Sequence, residues 1–279
     1  MKKYKLTSEV MIHIGRKLHR IKALKDFGNV KAGQLGGWIE KEENLSQDGT
    51  AWIFDNAKVS GNAEVYDSAE VYDNASIWGN SKVYGNANIL DNVSIFDNAK
   101  VYDNARVHNS ANISDNARVY NNAKIFNNAW IYGNAAVYDD AMVYNCARVS
   151  DEATIRNYAR ISGNAEIYGE ADIYGYATIH GNTLVHGKAN IFGTVDIYGH
   201  ANICGDAKVN CKADYLIFKN FWSSGRHFTW TRSNNKWKVG CFYGTSEELI
   251  NKAYADSEKS GREYERVVRY VESILADEH

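Results

Sequence analysis

A chain of 279 residues, 44% hydrophobic and carrying a formal net charge of -2, is long enough for one large domain or two smaller ones with cores of their own. The near balance of charge argues against bulk affinity for nucleic acid or a membrane surface. Four cysteines, Cys146, Cys204, Cys211 and Cys241, form no C-x-x-C pair and no even spacing, so neither a zinc site nor a disulfide framework is indicated.

Residues 1–50 come first as a cap. The opening MKKYKLTSEVMIHIG has a basic start but no continuous apolar run, and nothing later approaches a membrane span. A cytoplasmic protein with no membrane partner is expected. Nine Lys/Arg stand in residues 1–35 against Glu9 and Asp26, a distribution read as the solvated face of a hairpin rather than as a polyanion-binding arm. The two alternating apolar runs of EVMIHIGRKLHRIKAL around Gly15-Arg16-Lys17 are that hairpin.

From Ala51 to Lys212 the chain keeps one frame through 27 consecutive hexads, such as AEVYDS and AEVYDN. The third position is Val or Ile throughout, and the first is Ala except at Ser81, Val93, Thr183 and Val195. Residues two apart on a strand point the same way, so both positions face a core and the residue between them faces out. The fifth and sixth positions are rich in Asp, Asn and Gly, which enter the left-handed backbone region most cheaply, and they mark a corner. In later hexads that lose the sixth-position Asn, at Glu170, Tyr176, Lys188, Thr194, His200 and Asp206, the fifth is Gly. Proline is absent from the whole sequence, as suits a fold that needs nearly every backbone N–H in a ladder.

Residues 213–279 leave the frame and predict a small α+β domain. DYLIFKNF, RHFTWTR and KWKVGCF read as three strands; Thr245 with Glu248 forms a capping box for one helix, and a second runs from about Glu263.

Equal six-residue sides fit a triangular coil of eighteen residues. The hexapeptide repeat, [IV]-Y-G-N-A-x here, resembles that of left-handed parallel β-helices, and this resemblance supplies the handedness. The implied fold is all-β: about nine coils, roughly 43 Å long at the usual interstrand spacing, with an N-terminal β cap and the small α+β domain. The stretches FGNVKAGQLGGWIE and SGR...FTW...VGCFYGT.EEL are similar to the ends of hexapeptide-repeat proteins encoded by phages and prophages. Hexapeptide β-helices are commonly trimers, and many are acyltransferases using acyl-CoA or acyl-carrier protein, with a catalytic His near a subunit boundary.

Two candidate surfaces follow. One is a column of fourth-position residues, Tyr66, Tyr84, Tyr102, Tyr120 and Tyr138, flanked by Lys82, Lys100 and Arg118. Such a ladder can grip a polyanion, but a sheet coating or a trimer contact is the preferred reading, and nucleic acid is not expected as a partner. The other is FWSSGRHFTW: Trp222, Ser223, Ser224, Arg226 and Trp230 are candidates to hold a phosphate or carboxylate beside an aromatic wall, through N–H groups, hydroxyls and a guanidinium, while an ordinary hairpin corner with its aromatics in a small core is the preferred reading. His180, His186 and His200 stand in the last coils, and the first two, six apart, lie on adjacent faces unsuited to a shared metal. No catalytic residues, cofactor or metal are assigned. The expected function is a non-enzymatic phage-type binding or scaffold protein that recognises a host protein or an anionic small molecule such as a nucleotide signal; the alternative is an acyl-CoA-dependent hexapeptide acyltransferase.

Overall fold

The computed structural model describes residues 2–277. Each hexad becomes a two-residue strand and a corner. Among the described residues 27 such strands, β4 (Trp52–Ile53) through β30 (Lys208–Val209), stack as three parallel walls. Each strand from β4 to β27 pairs with the one a full coil later, as Lys100 with Arg118 and Val101 with Val119. The product is a three-sided parallel β-solenoid of about ten turns. Its interior is the column of third-position Val and Ile with first-position Ala, all buried in one continuous core. Each fully buried Val or Ile contributes about 1.5–3 kcal/mol. The two hydroxyl residues in the Ala column are satisfied locally: Ser81 Oγ donates to Trp78 O (2.8 Å) and Thr183 Oγ1 to His180 O (2.7 Å).

The corner divides its work more sharply than composition implies. Positive φ falls on the fifth position from Asp55 through Gly205 without interruption, for example 57° at Asp103 and 66° at Gly163. The sixth position never needs it. Its Asn residues instead form an amide ladder: Asn62, Asn80, Asn98 and Asn116 each donate from Nδ2 to the Oδ1 of the Asn one coil on, at 3.0–3.2 Å. Fifth-position carboxylates take the N–H of the fifth residue in the next coil, as Asp91 from Asn109 (2.8 Å) and Asp115 from Gly133 (2.9 Å). The early preference for Asp-Asn thus reflects inter-coil hydrogen bonding as well as backbone conformation.

Most ladder bonds share one direction. N–H groups at the second, fourth and sixth positions donate to the following coil: Lys82 to Ala99 O (2.9 Å), Tyr84 to Val101 O (3.0 Å) and Asn86 to Asp103 O (2.6 Å). The solenoid therefore begins with surplus carbonyls and ends with surplus N–H groups, and both ends must be satisfied by something else.

At the beginning the additional groups are donors. β1 (Tyr4–His13) and β2 (Arg16–Ala23) form an antiparallel hairpin, β2 pairs with β3 (Leu35–Ile39), and β3 joins the wall of β5 (Lys58–Val59) in parallel. Leu45 bridges Val65 in the same sense, so a further turn precedes Ala51. The buried Lys3 ammonium donates to Asp48 O and Ala51 O (3.2 and 3.0 Å), and Tyr4 OH meets Glu42 O and Leu45 O (2.9 and 2.7 Å).

At the far end the additional groups are acceptors. Asn202 N, on the last strand of the first wall, donates to Thr229 Oγ1 (2.9 Å); Lys208 N, on the last strand of another, donates to Ser233 Oγ (2.7 Å). Asp214 Oδ2 receives Asn210 N and Cys211 N (2.8 and 3.1 Å). These acceptors belong to an antiparallel sheet, β31 (Tyr215–Lys219), β32 (His227–Thr231), β33 (Lys236–Val239) and β34 (Phe242–Gly244), followed by α1 (Ser246–Asp256) and α2 (Glu258–Ala276). The KWKVGCF stretch is two strands, split at Gly240 with φ of 56°. α1 has the expected capping box. α2 starts five residues before the expected position because Ser257 caps it, accepting from Ser260 N (3.1 Å). Gly261 stays helical there because the Tyr254 ring occupies the space a Cβ would need.

Candidate functional site

The fourth-position column forms a ring stack. Tyr66, Tyr84, Tyr102, Tyr120 and Tyr138 follow one another at 4.8–4.9 Å between centroids with planes within 11° of parallel. Arg156 then replaces a ring, lying 4.0 Å over Tyr174 and pairing through both nitrogens with Asp172. Beside the stack Lys82 pairs with Glu64 (3.0 Å), while Lys100 and Arg118 are exposed. Shorter stacks stand on the other corners, including Trp78–Phe96 and Phe126–Tyr144. Ring stacking is thus a habit of the coil, and the five-tyrosine column is its longest instance.

Partial burial raises the phenols of this column and of the junction, to about 12 at Tyr66, Tyr102 and Tyr215. Unfolded tyrosine ionises near pH 10. Between these values the unfolded chain has released a proton that the folded chain retains, so stability falls as pH rises. The expected result is that ionisation of Tyr66, Tyr102 and Tyr215, read residue by residue, and loss of β circular dichroism rise together in an alkaline titration. These three titrating near pH 10 with the fold intact would contradict it.

The loop between β31 and β32 is built around Asn220. Its Oδ1 accepts from Trp222 N and Ser223 N (both 2.9 Å), and its Nδ2 donates to Ser223 Oγ (2.9 Å). Ser224 Oγ accepts from Tyr264 OH (3.0 Å) and Arg226 N (3.3 Å). The N–H groups of Trp222, Ser223 and Arg226 are consequently engaged inside the loop. Trp222 and its neighbour Phe221 are 65% and 71% exposed. Trp230 does not join them: it is 2% exposed, lies in the domain core with Phe228 and Trp237, and donates from Nε1 to Asn235 Oδ1 (2.9 Å). Strand alternation decides this, since Phe228 and Trp230 share the face of β32 that packs on the helices. Trp230 is therefore removed from the candidate aromatic wall.

On the opposite face of the same sheet the structure forms a cleft that the sequence reading missed. Tyr215, Ile217 and Lys219 of β31, with His227, stand across from Thr194, Asp196, Tyr198 and His200 of the last coil, around about 870 Å³, while Leu216 and Phe218, paired with Trp230 and Phe228, turn to the helix side and border the cleft along the strand. Cys211 and Lys212 complete the lining. Its body is apolar, and its charged lining groups are Lys212, Lys219 and Asp196. His200 and His227 stack at 4.3 Å. Burial, then the charges of His200 and Lys219, lower the affinity of His227 for a proton.

Asp196, one lining residue, has an outward partner: its Oδ1 lies 3.1 Å from His180 Nε2, and the His180 ring stacks on Tyr198 at 5.6 Å. His186, on the adjacent wall, lies 2.9 Å from Asn202 Oδ1 and is lowered by burial. The loop carrying Trp222, Ser223, Ser224 and Arg226 links Lys219 to His227, and Lys219 lies over Phe221 at 5.2 Å.

No protein-family model matches the sequence. A segment of 43 residues is 44% identical to part of YdcK, an uncharacterized acetyltransferase of Escherichia coli (strain K12). The match covers 15% of this chain and 13% of that protein. With the stacked parallel coils, this local likeness supports a hexapeptide-repeat fold. No helix among the described residues is long and apolar enough to cross a membrane.

Proposed function

We propose that the protein is a binding protein, a rigid solenoid whose recognition site is the cleft between its last coil and the C-terminal sheet. The ligand is an anion with an apolar body. The observation that carries this reading is the pairing of an apolar lining, Tyr198, Tyr215 and Ile217, with Lys212 and Lys219 in one cleft of about 870 Å³. Apolar pockets with a few convergent polar groups are the usual form of small-ligand sites. Trp222, Ser223, Ser224 and Arg226 extend the rim, with Arg226 as a further cation for phosphate or carboxylate. The likeness of the two ends to phage and prophage repeat proteins supplies the setting: a ligand or partner of host origin, met in the host cytoplasm.

Anilinonaphthalene sulfonate, an apolar anion, tests the reading. Saturable binding near one probe per chain is expected, weakened by Ile217→Asp and by added salt. Weak, unsaturable fluorescence indifferent to Ile217→Asp would reject it. The tyrosine column, with Lys82, Lys100 and Arg118, is proposed as the contact of a homotrimer, which would multiply the site and raise avidity. Light scattering that gives a 31.4 kDa monomer at micromolar concentration would reject the trimer.

A second reading is favoured by two observations: the His180–Asp196 pair beside the cleft and the local likeness to an uncharacterized acetyltransferase. A histidine oriented by a carboxylate is suited to take the proton of an attacking hydroxyl or amine. Under this reading the protein is an acyltransferase using acyl-CoA. Turnover of acetyl-CoA with pooled acceptors, abolished by His180→Ala, would make it the leading account; turnover unchanged by that substitution, or none, counts against it.

A further inference from the structure

The three walls do not end alike. On two of them the N–H of the last strand, Asn202 or Lys208, meets a hydroxyl acceptor from the C-terminal domain. The third wall ends at β28 (Asp196–Ile197), whose only strand partner lies on its inner side. One coil earlier, Thr178, His180 and Asn182 donate their N–H groups to Val195, Ile197 and Gly199. By the same register the N–H groups of Asp196, Tyr198 and His200 point toward the next coil position. Among the described residues no acceptor meets any of the three.

The chain turns away where the next strand would lie. After Lys212–Asp214 it enters β31, which pairs with β32 rather than with β28. Tyr215 OH already donates to the Asp196 carbonyl (2.9 Å), so what the edge leaves open is its three N–H groups; these border the cleft, and Asp196, Tyr198 and His200 all line it. One of these donors is in the strand, the second directly follows it and the third stands at the corner, spread along the chain at alternate residues. That spacing suits successive carbonyls of an extended backbone better than one compact anion.

We infer that the edge of β28 takes an extended peptide segment of alternating acidic and apolar residues, which adds in parallel as the tenth strand of this wall. The backbone carbonyls of the segment accept from Asp196, Tyr198 and His200. Its apolar side chains pack against Ile217 and Tyr198, and its carboxylates meet Lys212 and Lys219. Charge complementarity selects the acidic partner, since Asp196, the one carboxylate in the lining, already faces His180. This inference rests on the cleft being the binding site and specifies the class of ligand it takes.

The probe is a fluorescently labelled hexapeptide of alternating glutamate and valine, titrated against the full chain by anisotropy. Saturable binding is expected, weakened about tenfold or more by Lys219→Glu, lost in the all-D peptide, and unchanged by Lys124→Glu on the mid-solenoid surface. Bound peptide should slow amide exchange at Asp196, Tyr198 and His200. Binding without that protection, or equal binding of the D peptide, overturns the inference. If anilinonaphthalene sulfonate fills the cleft but the peptide neither binds nor displaces it, the cleft reading stands and the peptide inference falls. If neither ligand binds, both fail.

Discussion

Val119→Asp leaves the protein unfolded. Val119 is fully buried in the third position of its hexad, midway along a column of Val and Ile, and its strand pairs Val101 on one side and Val137 on the other. The surrounding interior is Val, Ile and Ala, with no cation to pair with the carboxylate. An unpaired charge in such a core costs several kcal/mol or more, or forces protonation of the acid. That is comparable to the roughly 5–15 kcal/mol by which ordinary domains are stable. Circular dichroism and expression in the soluble fraction check it, with Val119→Ile as control. A soluble, folded Val119→Asp chain would mean that the register assigned to the repeat is wrong.

Trp237→Ala is expected to unfold the C-terminal domain selectively. Trp237 is fully buried among Phe228, Trp230, Val268 and Val271, and its Nε1 donates to Ser246 Oγ (3.1 Å), joining β33 to the start of α1. Loss of a buried Trp costs about 3–5 kcal/mol, a large fraction of what so small a core supplies. The solenoid core is a separate cluster to which Trp237 does not belong, so its strands should persist. Thermal unfolding should split into an early phase, carrying the aromatic near-ultraviolet signal of the domain, and a late β phase. Binding of anilinonaphthalene sulfonate at the cleft should vanish with the early phase. One unsplit transition at the original temperature would contradict the separation of the two cores.

The solenoid was legible because its constraints repeat. A six-residue period with Val or Ile at one position and Ala two before it leaves only a strand and a corner, and 27 copies average out local ambiguity. The role of the sixth-position Asn was misread because Asn serves both a left-handed backbone and an amide ladder, and composition alone does not separate them. The cleft was not legible because it is made where two dissimilar structures meet: His200 and His227 stack across 27 positions of sequence, and no period relates them. Read along FWSSGRHFTW, Trp222 and Trp230 fitted either one aromatic wall or, as preferred, a small core, and only Trp230 lies in that core. Applying alternation to HFTWT would have put Trp230 beside Phe228 and inside the domain. A signal for the open edge also existed: a solenoid with directional ladders must end in N–H groups, so Thr229, Ser233 and Asp214 beyond the frame were candidates for capping it.

Backbone amide exchange in the free protein, read residue by residue by NMR, tests the central claim that one wall of the solenoid ends open at the cleft. Asn202, Lys208 and Asn210, each donating to a side-chain oxygen, should exchange slowly, whereas Asp196, Tyr198 and His200 should exchange rapidly. Equal protection at all six would contradict the account, because it would mean that the edge of β28 is already covered.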